Sequence, residues 1–194
     1  MKARRLWWII RSIFIRGGVK RADYARKNNI YAHVGQNVNF QPRFIPIYSE
    51  LISFGNNIVV ARNVDFCTHD LHHLVINRLP ENQREAFKFK EKIGCIEVCD
   101  NVFIGSNSVI LYGTKIGPNV IIGSGSVVTK DCEPNSVYAG TPARKIGTLD
   151  GYIRKRKQGE MDGTISTTTH NQSLTKDEIL AAWAQFKSNH GQEQ

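Results

Sequence analysis

The chain has 194 residues, of which 41% are hydrophobic and 22% charged, which suits one well-buried domain with short appendages. No run approaches the roughly 18 apolar residues that a membrane-crossing helix needs. The apolar run from Leu6 is interrupted by Arg11, and no cleavage pattern of a signal peptide follows it. Residues 1–30 hold nine basic and one acidic side chain, so this segment carries +8 of the net charge of +9. The basicity therefore belongs to the N-terminal segment, and the body is nearly neutral.

The first 30 residues predict a basic, amphipathic helical segment. Its apolar residues share an arc of roughly 120° on a helical wheel, outside which the basic side chains lie. That arc holds Leu6, Trp7, Ile10, Ile13 and Phe14. Two interpretations stay open: the helix caps the end of the following domain, or residues 1–18 contact an anionic membrane surface. Binding of nucleic acid is disfavoured, because tryptophans interleave with the arginines.

Isoleucine or valine recurs at every sixth position from Val98 to Val128, and glycine often follows it. A strand repeats every two residues and a helix every 3.6, so neither explains this period. A chain that turns a corner every six residues does, because each side of a three-sided coil then points one aliphatic side chain inward. The glycine after the aliphatic residue and the small residue three further on suit crowded corners. The pattern predicts a parallel β-helix and disfavours a β-sandwich.

The period is lost between residues 71 and 92, a polar and charged stretch that predicts a loop protruding from one corner. Loops of that length inside a compact domain are usually functional or disordered.

Residues 149–194 predict a linker and a closing helix that begins near Thr175, with Glu178 placed for a capping box. The expected core face of that helix is Ile179, Leu180, Trp183 and Phe186.

The four cysteines form neither a CxxC pair nor a zinc-ligand spacing. We therefore expect reduced, mostly buried thiols and a cytoplasmic protein. If residues 1–18 contact a membrane, we expect the protein to lie peripherally on the inner membrane surface.

The sequence from Cys99 to Ile146 reads CDNVFIGSNSVILYGTKIGPNVIIGSGSVVTKDCEPNSVYAGTPARKI. Its in-phase blocks, the run SVVTKD and the terminal AGTPAR resemble the hexapeptide-repeat acetyltransferases of the maltose/galactoside, xenobiotic and surface-polysaccharide types. The resemblance covers roughly residues 31–148. It implies an all-β, left-handed parallel β-helix flanked by N-terminal and C-terminal helices. It also implies a homotrimer, with acetyl-CoA as co-substrate bound in the groove between neighbouring subunits.

The family's catalytic histidine lies just before the protruding loop, and the resemblance gives that role to His69 in the motif Thr68-His69-Asp70. An acceptor must lose a proton as it attacks the thioester carbonyl, and a neutral imidazole is suited to take that proton at pH 7. Asp70 is the second catalytic candidate, orienting the imidazole or the loop, with local turn capping as an equal alternative. His72 and His73 are candidate substrate contacts in the loop.

For coenzyme A, the family uses small residues along the groove, so that the pantetheine arm lies against backbone, and terminal residues that hold the nucleotide phosphate. The resemblance assigns cofactor binding to Gly105, Gly123, Ser124, Gly125, Pro142, Arg144 and Lys145. The structural alternatives are that the glycines only permit tight turns, and that Arg144 and Lys145 are only solvated surface charges.

Three positions depart from the family pattern. Phe103 replaces a common tryptophan, Tyr112 a usual proline and Ser124 a usual alanine. Phe103 and Tyr112 are candidate substrate-binding residues for that reason. The identity of the acceptor cannot be inherited from any single relative.

Two rival functions use the same fold. A metal-dependent hydratase needs three histidines from neighbouring coils, and after His73 the next histidine is His170. A non-catalytic scaffold has no need of the Thr68-His69-Asp70 motif before a long loop. The sequence therefore predicts an acetyl-CoA-dependent O-acetyltransferase, without a metal, that acts on a sugar hydroxyl in capsule, exopolysaccharide or lipopolysaccharide synthesis. N-acetylation of an amino or nucleotide sugar is the alternative.

Overall fold

The structure is a computed structural model that describes residues 2–83, 87–161 and 174–190. The chain divides into two compact units, residues 1–149 and 150–194. Part of the predicted protruding loop, residues 84–86, and most of the predicted linker, residues 162–173, lie outside the described residues.

Short strands make up most of the first unit. In chain order they are β1 (His33–Val34), β2 (Val38–Phe40), β3 (Ile52–Phe54), β4 (Ile58–Val60), β5 (Asp65–Cys67), β6 (His69–Asp70), β7 (Lys92–Ile93), β8 (Ile96–Val98), β9 (Val102–Ile104), β10 (Val109–Leu111), β11 (Thr114–Ile116), β12 (Val120–Ile122), β13 (Val127–Val128), β14 (Ser136–Ala139) and β15 (Arg144–Thr148). One parallel sheet has the order β1-β3-β8-β11, a second β13-β10-β5 and a third β14-β12-β9-β4-β2, to which β15 adds an antiparallel strand. These sheets are the three sides of a stack of coils.

Three six-residue sides make one coil, so the chain advances by one coil every 18 residues. Ile104 pairs with Ile122, and Val98 with Ile116, each 18 residues further along the chain. All members of the predicted aliphatic series are at most 1% exposed, namely Val98, Ile104, Ile110, Ile116, Ile122 and Val128. One side chain from each side of a coil thus fills the interior, and the predicted left-handed parallel β-helix is confirmed.

A residue in the left-handed backbone region closes the regular corners, three positions after the inward aliphatic residue. Asparagine holds most of these corners, at positions 37, 57, 63, 101, 107, 119 and 135, and Gly113 and Gly125 hold two more. Along one edge the asparagine of each coil donates from Nδ2 to Oδ1 of the next at 2.8–2.9 Å, in the series Asn37, Asn57, Asn101, Asn119 and Asn135. Sequence analysis, which considered glycine and small residues, missed this ladder.

The glycine after the aliphatic residue serves close packing between coils. A Cβ built on Gly105 would lie 2.5 Å from the backbone nitrogen of Ser124 in the next coil. The expectation that a bulky residue would crowd the next coil is correct, although asparagine rather than this glycine makes the corner.

The protruding loop is an insertion between two coils. Val60 pairs with Ile104, 44 residues further on, which is 26 more than a regular coil contains. The two ends of the insertion are joined by the antiparallel pair β6–β7, in which His69 lies opposite Ile93 and Asp70 opposite Lys92. Helix α3 (His72–Ile76) follows β6 after one residue. The base of the loop is therefore fixed to the β-helix.

Two N-terminal helices, written α1 (Lys2–Phe14) and α2 (Gly18–Lys27), precede the first coil. Arg21 of α2 is buried and donates to the carbonyls of Ile15 and Phe40 at 2.7 and 2.8 Å. Arg26 donates to the carbonyl of Val34 at 2.9 Å. The carbonyls of Val34 and Phe40 belong to β1 and β2 at the open end of the stack, so α2 caps the β-helix.

Helix α1 turns most of its predicted apolar arc away from the body. Trp8 and Ile9, which lie outside that arc, pack against the core. Four residues of the arc are instead 41–78% exposed, namely Leu6, Trp7, Ile10 and Phe14. The helix is therefore held on one face and presents an apolar stripe on another.

The second unit contains most of α4 (Leu149–Met161) and all of α5 (Lys176–His190). The predicted capping box is present, because the backbone N–H of Glu178 donates to Thr175 Oγ1 and that of Thr175 donates to Glu178 Oε2. The predicted core face of α5 is not a buried core, since Ile179, Leu180, Trp183 and Phe186 are each at least 41% exposed. No helix in the described parts of the chain is both long and apolar enough to cross a membrane.

Candidate active site

Strand β5 delivers the motif Thr68-His69-Asp70 to the corner from which the loop leaves. Thr68 is fully buried, and its Oγ1 donates to the carbonyl of Ile47 at 2.6 Å. The next two residues form β6 and pair with the returning end of the loop. Local packing and this pairing together fix the backbone that carries His69.

The imidazole of His69 has one buried and one accessible nitrogen. Nδ1 is buried without a hydrogen-bond partner, whereas Nε2 lies 3.9 Å from Oε1 of Glu91. The His69 side chain as a whole is 21% exposed. Of the two imidazole nitrogens, Nε2 is therefore the one placed to exchange a proton with a group outside the core.

Tyr48 and Glu91 complete the surroundings of this imidazole. The Tyr48 ring meets the His69 ring edge to face at a centroid distance of 5.4 Å, and its hydroxyl donates to Glu91 Oε2 at 3.1 Å. That hydrogen bond raises the pKa of Tyr48 above its usual range. Tyr48 has φ 52 and ψ 41, a left-handed conformation that costs a bulky residue energy. The Tyr48 side chain thus contacts both the imidazole of His69 and the carboxylate of Glu91.

Asp70 belongs to a neighbouring set of contacts. It accepts a hydrogen bond from the hydroxyl of Tyr112, and its Oδ2 lies 3.3 Å from Nδ1 of His72. The Tyr112 hydrogen bond is the main reason that the pKa of Asp70 is lowered, with smaller contributions from His72 and the charge of Lys92. Asp70 also accepts from the backbone N–H of His72 at 3.3 Å, as a turn-capping residue does.

The contacts of Asp70 therefore match its predicted roles in the loop and the turn. In the described residues, no hydrogen bond or ion pair joins Asp70 to His69, so the alternative that Asp70 orients the imidazole has no support from the geometry. Glu91 and Tyr48 are instead the residues next to that ring. Sequence analysis missed both, because Tyr48 precedes the histidine by 21 residues and Glu91 follows it by 22.

The predicted groove residues lie along the last coils. Gly105 and Gly123 pack directly on the following coil, where a Cβ on Gly123 would meet that of Ala139 at 3.0 Å. Gly125 has φ +72 and closes a corner, with Ser124 exposed beside it. Each of these glycines thus has a structural reason of its own.

Pro142, Arg144 and Lys145 lie where the β-helix ends. Thr141–Pro142 is a cis peptide, and Arg144 and Lys145 belong to β15. Nζ of Lys145 lies 2.8 Å from Oε2 of Glu133, which lowers the pKa of Glu133 and raises that of Lys145. Arg144 is exposed and donates to the carbonyl of its neighbour Ala143. Among the described residues, no carboxylate pairs with Arg144 as Glu133 does with Lys145.

Among the remaining candidates, Phe103 points outward from β9 and is 40% exposed. His72 is largely exposed, and His73 has a buried Nδ1 without a hydrogen-bond partner. No hydrogen bond or ion pair within the described part of one chain joins the predicted cofactor residues to His69. The two groups of predicted site residues thus have no direct polar contact with each other in the described part of the chain.

The cysteines and acidic side chains provide no metal centre in the described residues, where no group of three or more His, Cys, Asp or Glu is placed to hold an ion. All four thiols are free, but only Cys132 is buried, so the expectation of mostly buried thiols is wrong. Cys67, Cys95 and Cys99 lie on the outer sides of coils, where alternate residues face solvent.

Comparisons with known proteins agree with this architecture. Residues 96–130 match the family described as bacterial transferase hexapeptide (six repeats). Galactoside O-acetyltransferase of Escherichia coli (strain K12) is 40% identical over 122 residues, which cover 61% of this chain and 54% of that protein. The chain thus spans just over half the length of that relative.

Two solved structures have the same fold. A maltose O-acetyltransferase from Clostridium difficile 630 superposes with a TM-score of 0.53 at 27% identity, covering 75% of this chain and 84% of that one. A galactoside acetyltransferase in complex with coenzyme A gives a TM-score of 0.53 at 22% identity, covering 90% of this chain and 88% of the other. The repeats, the coils and these likenesses show that the chain has the hexapeptide-repeat fold and is similar to acetyltransferases built on it.

Proposed function

We propose that this protein is an acetyl-CoA-dependent O-acetyltransferase that acts on a sugar hydroxyl in the synthesis of a surface polysaccharide, such as capsule, exopolysaccharide or lipopolysaccharide. The observation that carries the proposal is the His69 imidazole. It lies in the family's motif at the base of the loop, with Nδ1 buried and Nε2 beside Glu91.

In the proposed reaction, Nε2 of His69 takes the proton of the acceptor hydroxyl as its oxygen attacks the thioester carbonyl. The new C–O bond forms, the C–S bond breaks and coenzyme A leaves as a thiolate, which receives the proton from the imidazolium. No acyl-enzyme is needed. A backbone N–H from a coil of the neighbouring subunit would stabilise the negative charge that develops on the thioester oxygen.

Acetyl-CoA would bind in the groove between subunits of a homotrimer. The proposed groove residues are Gly105, Gly123, Ser124 and Gly125, with Pro142 at the terminal turn. The family member solved with coenzyme A supports a site of this kind. Because Lys145 is paired with Glu133, we assign contact with the nucleotide phosphate mainly to Arg144. A trimer would bring the cofactor residues of one subunit near His69 of its neighbour.

The test is release of free thiol from acetyl-CoA in the presence of a panel of neutral and amino sugars. His69→Ala should lower the rate roughly 10²–10⁴-fold, because the general base is lost. His33→Ala, which removes an exposed histidine of β1, is the matched control and should retain full activity. An undiminished rate in His69→Ala would remove this residue from the proposed role.

The same panel decides between O- and N-acetylation. An amine can be deprotonated by the same base, so an amino or nucleotide sugar is the alternative acceptor. Preferential acetylation of amino sugars over their hydroxyl counterparts would contradict the proposal of a hydroxyl acceptor.

We further propose that residues 1–18 hold the protein on the anionic inner surface of a membrane, where lipid-linked glycans are assembled. The support is the outward apolar stripe of α1 together with cations on α1 and on the segment that follows it. The guanidinium of Arg11 lies 5.8 Å from the Trp7 ring, and Arg16 and Lys20 are exposed. Aromatic and basic side chains on an exposed helix face are typical of helices that lie in the membrane interface.

A further inference from the structure

Glu91 has two carboxylate oxygens with different surroundings. Oε2 accepts a hydrogen bond from the Tyr48 hydroxyl at 3.1 Å, whereas Oε1 lies 3.9 Å from Nε2 of His69. A hydrogen bond between nitrogen and oxygen is about 2.7–3.2 Å long, so Oε1 and Nε2 are neighbours that do not bond to each other. Each of these two atoms is able to accept a proton or a hydrogen bond from a third group.

A lone hydroxyl cannot satisfy both atoms, because it has one proton to donate. Two hydroxyls on adjacent carbons can do so. One donates to Nε2 and is the attacking group, while its neighbour donates to Oε1, each over a hydrogen bond of about 2.8 Å. The 3.9 Å separation of Nε2 and Oε1 suits oxygens that are held one carbon–carbon bond apart.

The surrounding structure keeps these two acceptors in place. Tyr48 contacts the ring of His69 and binds the carboxylate of Glu91, and the β6–β7 pair fixes the backbone of both loop ends. A carboxylate accepts hydrogen bonds without donating any, and a bond from a hydroxyl to a charged acceptor is stronger than one between neutral groups. Its charge also favours the imidazolium that forms during transfer.

We infer that His69 and Glu91 together select an acceptor with two neighbouring hydroxyl groups, a vicinal diol, in which Glu91 binds the hydroxyl next to the one acetylated. This inference rests on the proposed acetyltransferase function and adds the substrate class of the same site. Glu91 is then a specificity-determining residue supplied by the returning end of the loop.

The experiment measures kcat/KM for methyl glucoside, methyl galactoside and methyl mannoside, and identifies the acetylated position of each product by NMR. The best acceptor is then compared with its analogue that lacks the adjacent hydroxyl. For the wild type, this loss should lower kcat/KM about 10- to 100-fold, the effect of one hydrogen bond to a charged group. For Glu91→Ala, the diol and the deoxy analogue should be acetylated at similar rates.

Glu50→Gln is the matched control, because it neutralises an exposed carboxylate two residues from Tyr48 that makes no contact with His69. It should discriminate between the two acceptors as the wild type does. Failure of the wild type to release thiol with any sugar of the panel would contradict the proposed function itself. Thiol release with full discrimination retained in Glu91→Ala would overturn the diol inference alone.

Discussion

At the scale of single residues, the corners depend on side chains that accept a left-handed backbone. Asn119 has φ 60, accepts at Oδ1 from Asn101 and donates from Nδ2 to Asn135, both at 2.8 Å. Asparagine tolerates this backbone because its short polar side chain bonds locally, whereas Cβ of most residues is strained there. One residue thus makes the turn and joins three successive coils.

We predict that Asn119→Ala destabilises the protein more than Asn119→Gly. Both changes remove the ladder hydrogen bonds, but alanine also carries the roughly 1–2 kcal/mol cost of a left-handed backbone. Free energies of unfolding from denaturant titration, taken at one protein concentration, measure the difference. Equal losses for the two variants would show that the backbone conformation is not what selects asparagine here.

The same scale explains why Glu91 and Tyr48 escaped prediction. Neither belongs to a motif, and each reaches His69 only because separate coils and the loop return to one corner. Asp70 was easier to predict as a candidate because it adjoins the histidine in sequence. Its side chain nevertheless points to Tyr112 and His72, which shows that adjacency in a strand does not place two side chains together.

At the scale of elements, the β6–β7 pair and the Asp70–Tyr112 hydrogen bond fix the base of the loop. The Tyr112 hydroxyl lowers the pKa of Asp70 in the folded protein. A lowered folded-state pKa stabilises the fold above the ordinary aspartate pKa, near 3.9, and this contribution is lost as the pH falls through the folded-state value.

We predict that Tyr112→Phe lowers the Tm at pH 7, and that the difference from wild type shrinks as the pH falls below the ordinary aspartate pKa of about 3.9. Thermal unfolding across this range measures the effect. Tyr152→Phe, at a 47% exposed position of α4, is the control and should follow the wild type at every pH. A difference for Tyr112→Phe that is constant with pH would mean that the hydroxyl acts through packing and not through the charge of Asp70.

At the scale of the whole molecule, charge and apolar exposure coincide at the N-terminus. Residues 1–30 carry nearly all the net charge, and the stripe of Leu6, Trp7, Ile10 and Phe14 is exposed on a helix whose other face is packed. Capping by α2 and the proposed membrane contact by α1 therefore do not compete, because they would use different helices.

We predict that the protein co-sediments with phosphatidylcholine vesicles that contain phosphatidylglycerol, and less with phosphatidylcholine alone. Replacing Leu6, Trp7 and Phe14 by serine should abolish most binding, and added salt should weaken it, because each basic side chain near an anionic surface contributes about 1 kcal/mol. The matched control replaces Leu180, Trp183 and Phe186 by serine, which removes similar exposed apolar groups from α5. Equal binding by a chain that lacks residues 1–18 would contradict membrane contact by this segment.

The sequence by itself determined the three-sided coil, because a period of six has one geometric solution and the buried isoleucines must point inward to satisfy it. The resemblance to the family also singled out His69 as the candidate base, and that role stays a prediction. Only the tertiary structure decided which side chains surround that imidazole and which face of α1 is buried. Those outcomes depend on contacts between residues that are distant in sequence, such as those of Tyr48 and Glu91 with His69. A local sequence pattern does not predict such contacts.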